Sequence, residues 1–281
     1  MKIAIIGHGF VGKALKNGLK DNTDLFIVDP VLKTKIQDLK NFKPDIVFIC
    51  VPTPMKNDSS QDISIVIDVI KQINKLSIKS HIVLKSTVLP NYIKDLEAIT
   101  NRFVYNPEFL RELSANEDFI KSDLIIFGGS KKSCQFIANF YKNNTKCFNK
   151  DYIFTDAITA SLIKYSINSF LSTKVTFFNE LFDVFKKSGS TETWDNFISA
   201  LTKDKRMGNS HMQVPGHDGR FGFGGACLPK DSSAFYAYSN SLNAPIKLLE
   251  QAISINNNIR ASYNINTERE LEQNIHFLKK E

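Results

Sequence analysis

The sequence predicts an α/β protein: a doubly wound parallel sheet in the N-terminal half, then an all-helical region hung on one long helix. Three observations lead there. Up to about residue 150, short apolar runs alternate with amphipathic stretches, the order that builds βαβ units. Several of those runs are nearly all apolar, as expected when helices cover both faces of a sheet. From residue 156 to 187 there is no proline or glycine, and apolar residues recur at helical spacing. The pattern changes near Asp151, so the expected domains are 1–152 and 153–281.

In chain order, residues 2–6, 25–28, 45–51, 82–85, 103–105 and 124–127 read as strands. Residues 11–20, 63–76 and 133–141 read as helices between them. A continuous helix over 156–187 would be about 48 Å long. Ser188-Gly189-Ser190 ends it, and a second helix is expected over 191–202. Residues 203–226 are loop-like and rich in glycine, and helices resume after Pro229 and Pro245. The polar stretch 264–281 reads as a terminal helix.

Composition narrows the function. The formal charge is +7, but the lysines are spread along the chain, with no basic block carrying interleaved aromatics. That suits an anionic substrate or cofactor and argues against nucleic acid. No apolar run reaches the roughly 18 residues of a membrane span. The start, Met1-Lys2-Ile3-Ala4-Ile5-Ile6-Gly7, reads as a strand and not as a signal peptide. Four cysteines, Cys50, Cys134, Cys147 and Cys227, lie far apart without a C-x-x-C pair. That points to free thiols in a reducing, cytoplasmic setting and to no metal site.

Gly7-His8-Gly9-Phe10-Val11-Gly12 is G-x-G-x-x-G between a strand and a helix, the Rossmann-type dinucleotide context. Asp29 ends the next strand, where a carboxylate binds the ribose hydroxyls of NAD and repels the extra phosphate of NADP; the other reading is a cap or turn residue. His8 is expected to line the turn. Cys50-Val51-Pro52-Thr53-Pro54 leaves the third strand extended, and Ser86-Thr87-Val88 leaves the next at the same carboxyl edge, where Thr87 could present its hydroxyl. Cys50 itself reads as packing.

Phe221-Gly222-Phe223-Gly224-Gly225-Ala226-Cys227-Leu228-Pro229-Lys230-Asp231 places one cysteine between a glycine turn and a helix start. Pro229 suits the first helical position. The helix dipole and Lys230 favour a thiolate, and Asp231 is one turn on, within reach of a proton. The plainer reading is a small buried residue beside a loop. In Asn106-Pro107-Glu108-Phe109-Leu110-Arg111-Glu112, a helix would put Glu108 and Glu112 on one face. Lys164 and Asn168 have the same spacing on the long helix, as oxyanion donors or as solvated surface.

Together, residues 7–12, 50–54, 85–88, 106–112, 160–180, 204–208 and 221–231 resemble the UDP-glucose/GDP-mannose dehydrogenase family, from the chain start to about residue 260. The resemblance implies an NAD-dependent enzyme of nucleotide-sugar metabolism, serving polysaccharide biosynthesis. It would oxidise a sugar C6 alcohol, UDP-glucose first, by four electrons to the uronic acid through a thiohemiacetal and thioester on Cys227. Asp231 and Thr87 would hold the water that takes the hydroxyl proton. Lys164 and Asn168 would stabilise oxyanions, and Glu112 would assist the hydrolytic water. The sugar pocket would comprise Glu108, Phe109, Leu110, Arg111, Phe221 and Gly224, with Arg206 reaching a neighbouring subunit's substrate. NAD would contact Gly7, Gly9, Phe10, Val11, Gly12, Asp29, Val51, Pro52, Thr53, Ser86, Thr87 and Lys230. The long helix 156–187 would be the axis of a homodimer.

Two departures from the family stand out. Only 20 residues separate Asp29 from Cys50, a trimmed dinucleotide domain. Family chains usually continue into a further α/β domain that holds the nucleotide, whereas this sequence ends at Glu281, a short form for which a separate chain could supply that domain. Residues 213–220 look like extra loop, with His211, His217 and Arg220 facing phosphate or solvent. Two other readings stay open: a two-electron hydroxyacid dehydrogenase, which has no need of Cys227, and a catalytically weak module binding NAD or a sugar nucleotide.

Overall fold

A computed structural model describes residues 1–100 and 102–277. In chain order the elements are β1 (Lys2–Ile6), α1 (Phe10–Gly18), β2 (Asp24–Val28), α2 (Leu39–Phe42), β3 (Ile46–Ile49), α3 (Ser64–Lys75), β4 (His81–Leu84), α4 (Pro90–Ile99), β5 (Phe103–Tyr105), α5 (Ala115–Lys121), β6 (Ile126–Gly129), α6 (Lys131–Asn144) and β7 (Ile153–Thr155). They continue as α7 (Ala157–Lys187), α8 (Trp194–Leu201), α9 (Leu228–Ser241), α10 (Lys247–Ala261) and α11 (Glu268–Glu272). The chain forms two compact units, Met1–Thr53 with Gln61–Lys164, and Pro54–Ser60 with Tyr165–Glu281. That division falls within α7, further along the chain than the expected 152/153.

The first unit is a seven-stranded sheet of order β2-β1-β3-β4-β5-β6-β7. Every pairing is parallel except β5 with β6. Alternate side chains of one strand enter opposite cores, because successive residues of a strand point to opposite faces. Ala4, Ile6, Val47 and Ile49 pack with Val66 and Ile70 of α3 and Ile93 of α4. Ile3, Ile5, Ile46 and Phe48 pack with Ala14 and Leu15 of α1 and Ile137 and Phe140 of α6. Both faces are covered, so the sheet is doubly wound. β1 lies between β2 and β3, so the connections diverge at its carboxyl end, the place where such sheets bind ligands. β7 is an addition to the sequence reading: Ile153 and Phe154 are exposed on this edge strand and lack the buried apolar signature of the others.

In the second unit, α7, α8 and the segment after Gly208 share an aromatic core. Trp194 packs against Phe178, Phe182, Phe185 and Phe197, and Met212 and Val214 are buried with them. Residues 213–220, expected as extra loop, are anchored on that core through Val214, while Gln213, Pro215, His217 and Gly219 are exposed. Helix α9 docks on α7 through the stacked rings of Tyr165 and Phe235 and a 2.7 Å hydrogen bond between Ser172 and Ser232. The expected helix over 264–281 is reduced to α11, with residues 278–281 lying outside the described residues. Among the described residues, no helix is long and apolar enough to cross a membrane.

Candidate active site

In the first unit, the glycine loop leaves β1 and opens α1, with Gly9 at its N-cap. A Cβ on Gly12 would stand 2.1 Å from the Gly7 carbonyl oxygen, so only glycine lets the helix pack this close. A Cβ on Gly9 would meet nothing within 4 Å. Packing therefore does not require glycine at position 9, whereas a dinucleotide pyrophosphate approaching the backbone does, and in this respect the loop fits NAD. Phe10 and Val11, half-buried, form the first turn of α1. Asp29 follows β2 directly: its carboxylate accepts from the His8 N–H at 2.7 Å and the Val31 N–H at 2.9 Å. It is thus both the turn residue and a carboxylate at the loop. Burial, with Lys16 and Lys13 nearby, holds the His8 imidazole below its usual pKa.

The carboxyl ends of β3 and β4 are joined by hydrogen bonds. The Thr53 hydroxyl donates to the Thr87 carbonyl at 2.9 Å and the Ser86 hydroxyl to the Val51 carbonyl at 2.7 Å. Gln61, which the sequence did not mark, donates to the same Thr87 carbonyl at 2.6 Å and accepts from the Leu89 N–H at 3.0 Å. Pro52 is exposed, Val51 and Thr87 half-buried. Burial pushes the Cys50 thiol up to about 12, which makes it an inert packing residue.

Segment 106–111 is not helical, which corrects the expected shared face of Glu108 and Glu112. Glu108 is buried, while Glu112 is exposed at the start of a single 3-10 turn. The loop folds around a cation instead. Lys164, 3 % exposed, donates to the Glu108 carbonyl at 2.7 Å and to its carboxylate at 3.2 Å, with the Phe109 ring 5.4 Å below the ammonium. The other Glu108 oxygen accepts from the Leu110 N–H at 2.7 Å. Arg111 turns outward to a bidentate pair with Asp118. A second buried lysine, Lys85, holds the start of the loop through the Asn106 side-chain oxygen at 3.0 Å, which also accepts from Tyr141 at 2.6 Å. Burial holds Lys85 below the usual lysine pKa. In the sequence, Lys85 is a charge ending an apolar strand and the first residue of the 85–88 family match, with no role assigned.

In the second unit, Cys227 is the N-cap of α9, with Leu228 first and Pro229 second in the helix, one place later than expected. Asp231, 1 % exposed, lies one turn on, its N–H donating to the Cys227 carbonyl at 2.8 Å. Its carboxylate accepts from Lys230 at 2.5 Å and from the Asn168 amide at 2.6 Å. Neither Lys164 nor Asn168 is solvated surface, since both are buried. Lys230 is buried with the Asp231 carboxylate and forms an ion pair with it. Arg206 is exposed and paired with Asp204 in a 3-10 turn.

The glycine turn before Cys227 is held by side chains that no local motif marks. The Gly222 N–H donates to Asn179 at 2.9 Å, the Phe223 N–H to Asn256 at 2.6 Å, and the Phe221 N–H to the Tyr263 hydroxyl at 2.8 Å. Gly224 lies flat on Arg260: a Cβ there would stand 1.5 Å from the guanidinium. Arg220, expected to face phosphate or solvent, donates to the Ile265 carbonyl at 2.7 Å over the Tyr263 ring.

Two family domain models match the chain. Residues 32–145 match the NAD binding domain of the UDP-glucose/GDP-mannose dehydrogenase family, and residues 158–258 match its central domain. The UDP-glucose 6-dehydrogenase of Rickettsia bellii is 35% identical over 229 residues, 78% of this chain and 50% of that protein. YwqF of Bacillus subtilis, also a UDP-glucose 6-dehydrogenase, is 30% identical over 227 residues, 77% of this chain and 49% of its own length. A UDP-glucose dehydrogenase structure from Pyrobaculum islandicum superposes with a TM-score of 0.74 at 26% identity, over 91% of this chain and 67% of that one. The chain spans about half the length of the curated relatives it matches.

Proposed function

Because this chain belongs to the UDP-glucose/GDP-mannose dehydrogenase family, we propose that it is an NAD-dependent nucleotide-sugar 6-dehydrogenase acting on UDP-glucose. The observation that carries the reading is Cys227 at the start of α9, one turn from a buried Asp231 held by Lys230 and Asn168. A two-electron alcohol oxidation needs no nucleophile. A four-electron oxidation does, because a covalent thioester holds the carbon between two hydride losses.

Gly7, Gly9, Phe10, Val11 and Gly12 are the residues that would hold the pyrophosphate, and Asp29 the ribose. Val51, Pro52, Thr53, Ser86 and Thr87 would line the nicotinamide side, and Lys230 would be a further contact. NAD, when bound, would supply the two-electron acceptor for hydride from the sugar C6 carbon, and two equivalents are needed per turnover. Asp231 takes the hydroxyl proton through a water as the alcohol becomes the aldehyde. The Cys227 thiolate adds to the aldehyde carbon to give a thiohemiacetal, which loses the second hydride to become a thioester. Water then breaks the C–S bond, returning the thiolate and releasing the uronic acid. One water is consumed and four electrons leave.

Asn168 carries a second amide hydrogen, suited to a developing oxyanion. By family likeness, Lys164 shares that role, Thr87 steadies the water and Glu112 assists hydrolysis. The sugar contacts would be Glu108, Phe109, Leu110, Arg111, Phe221 and Gly224. Phe170, Phe177 and Val184 recur every seventh residue along α7 and are each more than half exposed, which favours a homodimer through this helix, with Arg206 reaching across it. Four free cysteines favour the cytoplasm.

The test is stoichiometry: two NADH released per UDP-glucose consumed, against one for a hydroxyacid-type enzyme and none for a binding module. GDP-mannose and UDP-N-acetyl sugars complete the panel. If Cys227→Ala still makes uronic acid at the wild-type rate, the cysteine mechanism is wrong.

A further inference from the structure

The segment after α10 lies beyond the residues that match the family's central domain, which end at 258. It nevertheless reaches the cysteine turn. Thr267 and Glu270 form a reciprocal cap on α11: the Thr267 N–H donates to one Glu270 carboxylate oxygen at 2.7 Å, and the Glu270 N–H donates to the Thr267 hydroxyl at 3.2 Å. Capping uses only one end of the carboxylate. Its other oxygen accepts from the Gly225 N–H at 3.1 Å, two residues before Cys227, and stands 3.7 Å from the Arg260 guanidinium. Glu270 is 0 % exposed. Arg260 is buried too, pairs with Asp218 at 2.7 Å, and is the surface on which Gly224 rests. The far end of the segment is pinned as well. The Met55 N–H donates to the Gln273 carbonyl at 3.0 Å, and the Asn274 amide donates to the Met55 carbonyl at 2.9 Å and to Asn57 at 3.2 Å. Ile275, which follows Asn274, is buried.

A carboxylate is costly to bury, and a surface helix of five residues has no need to bury one for its own cap. The placement is explained by the two groups it meets, a backbone N–H of the cysteine turn and the arginine beneath that turn. We propose that segment 266–277 is a strap that fixes the backbone of the cysteine turn, and that Glu270 is a positioning residue for Cys227, acting through Gly225. This rests on the dehydrogenase reading only for its kinetic consequence; the mechanical part stands without it.

The experiment uses the full chain and three readouts. Iodoacetamide labelling of Cys227 is followed by mass spectrometry, with Cys227→Ser as the control. Turnover is followed with UDP-glucose and NAD. Amide hydrogen exchange is measured on the peptide covering the turn. In Glu270→Ala, kcat is expected to fall by about tenfold with the KM for UDP-glucose little changed, because misplacing a nucleophile costs rate more than binding. The labelling rate at Cys227 is expected to change by about threefold as the turn loosens. Glu270→Gln keeps the acceptor for Gly225 and is expected to restore most of both.

Should Glu270→Ala fail to fold, Asn274→Ala releases the strap at its other anchor without stranding a buried charge. Faster exchange of the turn amides in that variant, by about tenfold, supports the strap. Wild-type labelling and exchange in folded Glu270→Ala, or unchanged exchange in Asn274→Ala, overturns it. If the wild type releases no NADH with UDP-glucose, the function reading fails, while labelling and exchange still decide the strap.

Discussion

The Asn168 amide donates to the Asp231 carboxylate at 2.6 Å, across 63 residues of sequence, and both groups are buried. The contact joins α7 to the first turn of α9 and fixes which way that carboxylate faces. A buried carboxylate that loses a donor pays the desolvation of the unmatched lone pair. Asn168→Ala is expected to lower unfolding free energy by about 1.5–3 kcal/mol, measured by urea denaturation. Asn168→Asp should cost more, because it places a second carboxylate against the first. A loss below about 0.5 kcal/mol in Asn168→Ala would show that Asp231 is satisfied without it.

Lys164 and Glu108 make the corresponding pair in the first unit, at 3.2 Å. Removing one member strands the other in the core. Lys164→Met is expected to destabilise by about 3–5 kcal/mol, and adding Glu108→Gln to recover much of that loss. Urea unfolding of the two single variants and the double variant gives the coupling. Strict additivity would mean that the loop 106–111 is not organised by this lysine.

The two glycines of the nucleotide loop should separate binding from folding. Gly9 has open space where a Cβ would be, so Gly9→Ala is expected to cost less than about 1 kcal/mol of stability, the scale of a weakened cap. It should nevertheless weaken NAD binding by about tenfold, because the methyl group occupies the approach to the backbone. Gly12→Ala meets the Gly7 carbonyl at 2.1 Å and is expected to lose stability and binding together. Calorimetric titration with NAD and thermal unfolding read the two effects.

Cys50 carries a pH signature. Its folded thiol is pushed up to about 12 from 9.0, chiefly by burial. Above the unfolded value the unfolded chain releases this proton and the folded chain keeps it, so ν_U is less than ν_N and stability falls as pH rises. The contribution is therefore complete below pH 9.0 and is lost between there and about 12. The difference in stability between wild type and Cys50→Ala should be flat below pH 9 and shrink above it. Iodoacetamide at pH 8.5 should leave Cys50 unmodified in the folded protein.

Much of the architecture was legible because its signals are local. The alternating runs that became β1 to β6, the proline-free stretch of α7, the glycine loop after β1 and the turn before Cys227 are patterns within a few residues of one another. The failures share a cause. Residues 106–112 carry a helix-compatible spacing, but residues 106–111 form no helix and are hydrogen-bonded by Lys164 and Lys85 from outside the segment. β7 is three residues long and exposed, and is recognised only by pairing with β6. Residues 213–220 are largely the exposed loop their composition suggested, but Val214 anchors them beside Trp194, a contact no local pattern marks.

The sequence by itself determined the fold class, the nucleotide loop and the position of Cys227 at a helix start, since strand and helix periodicity, glycine spacing and capping act at short range. Only the tertiary structure decided the partners: Asn168 for Asp231, Lys164 for Glu108, Gln61 for the Thr87 carbonyl, and Arg260 with Glu270 for the glycine turn. Each of these is a buried polar group that must find its counter-group once water is excluded. Which distant residue supplies it depends on how the elements pack.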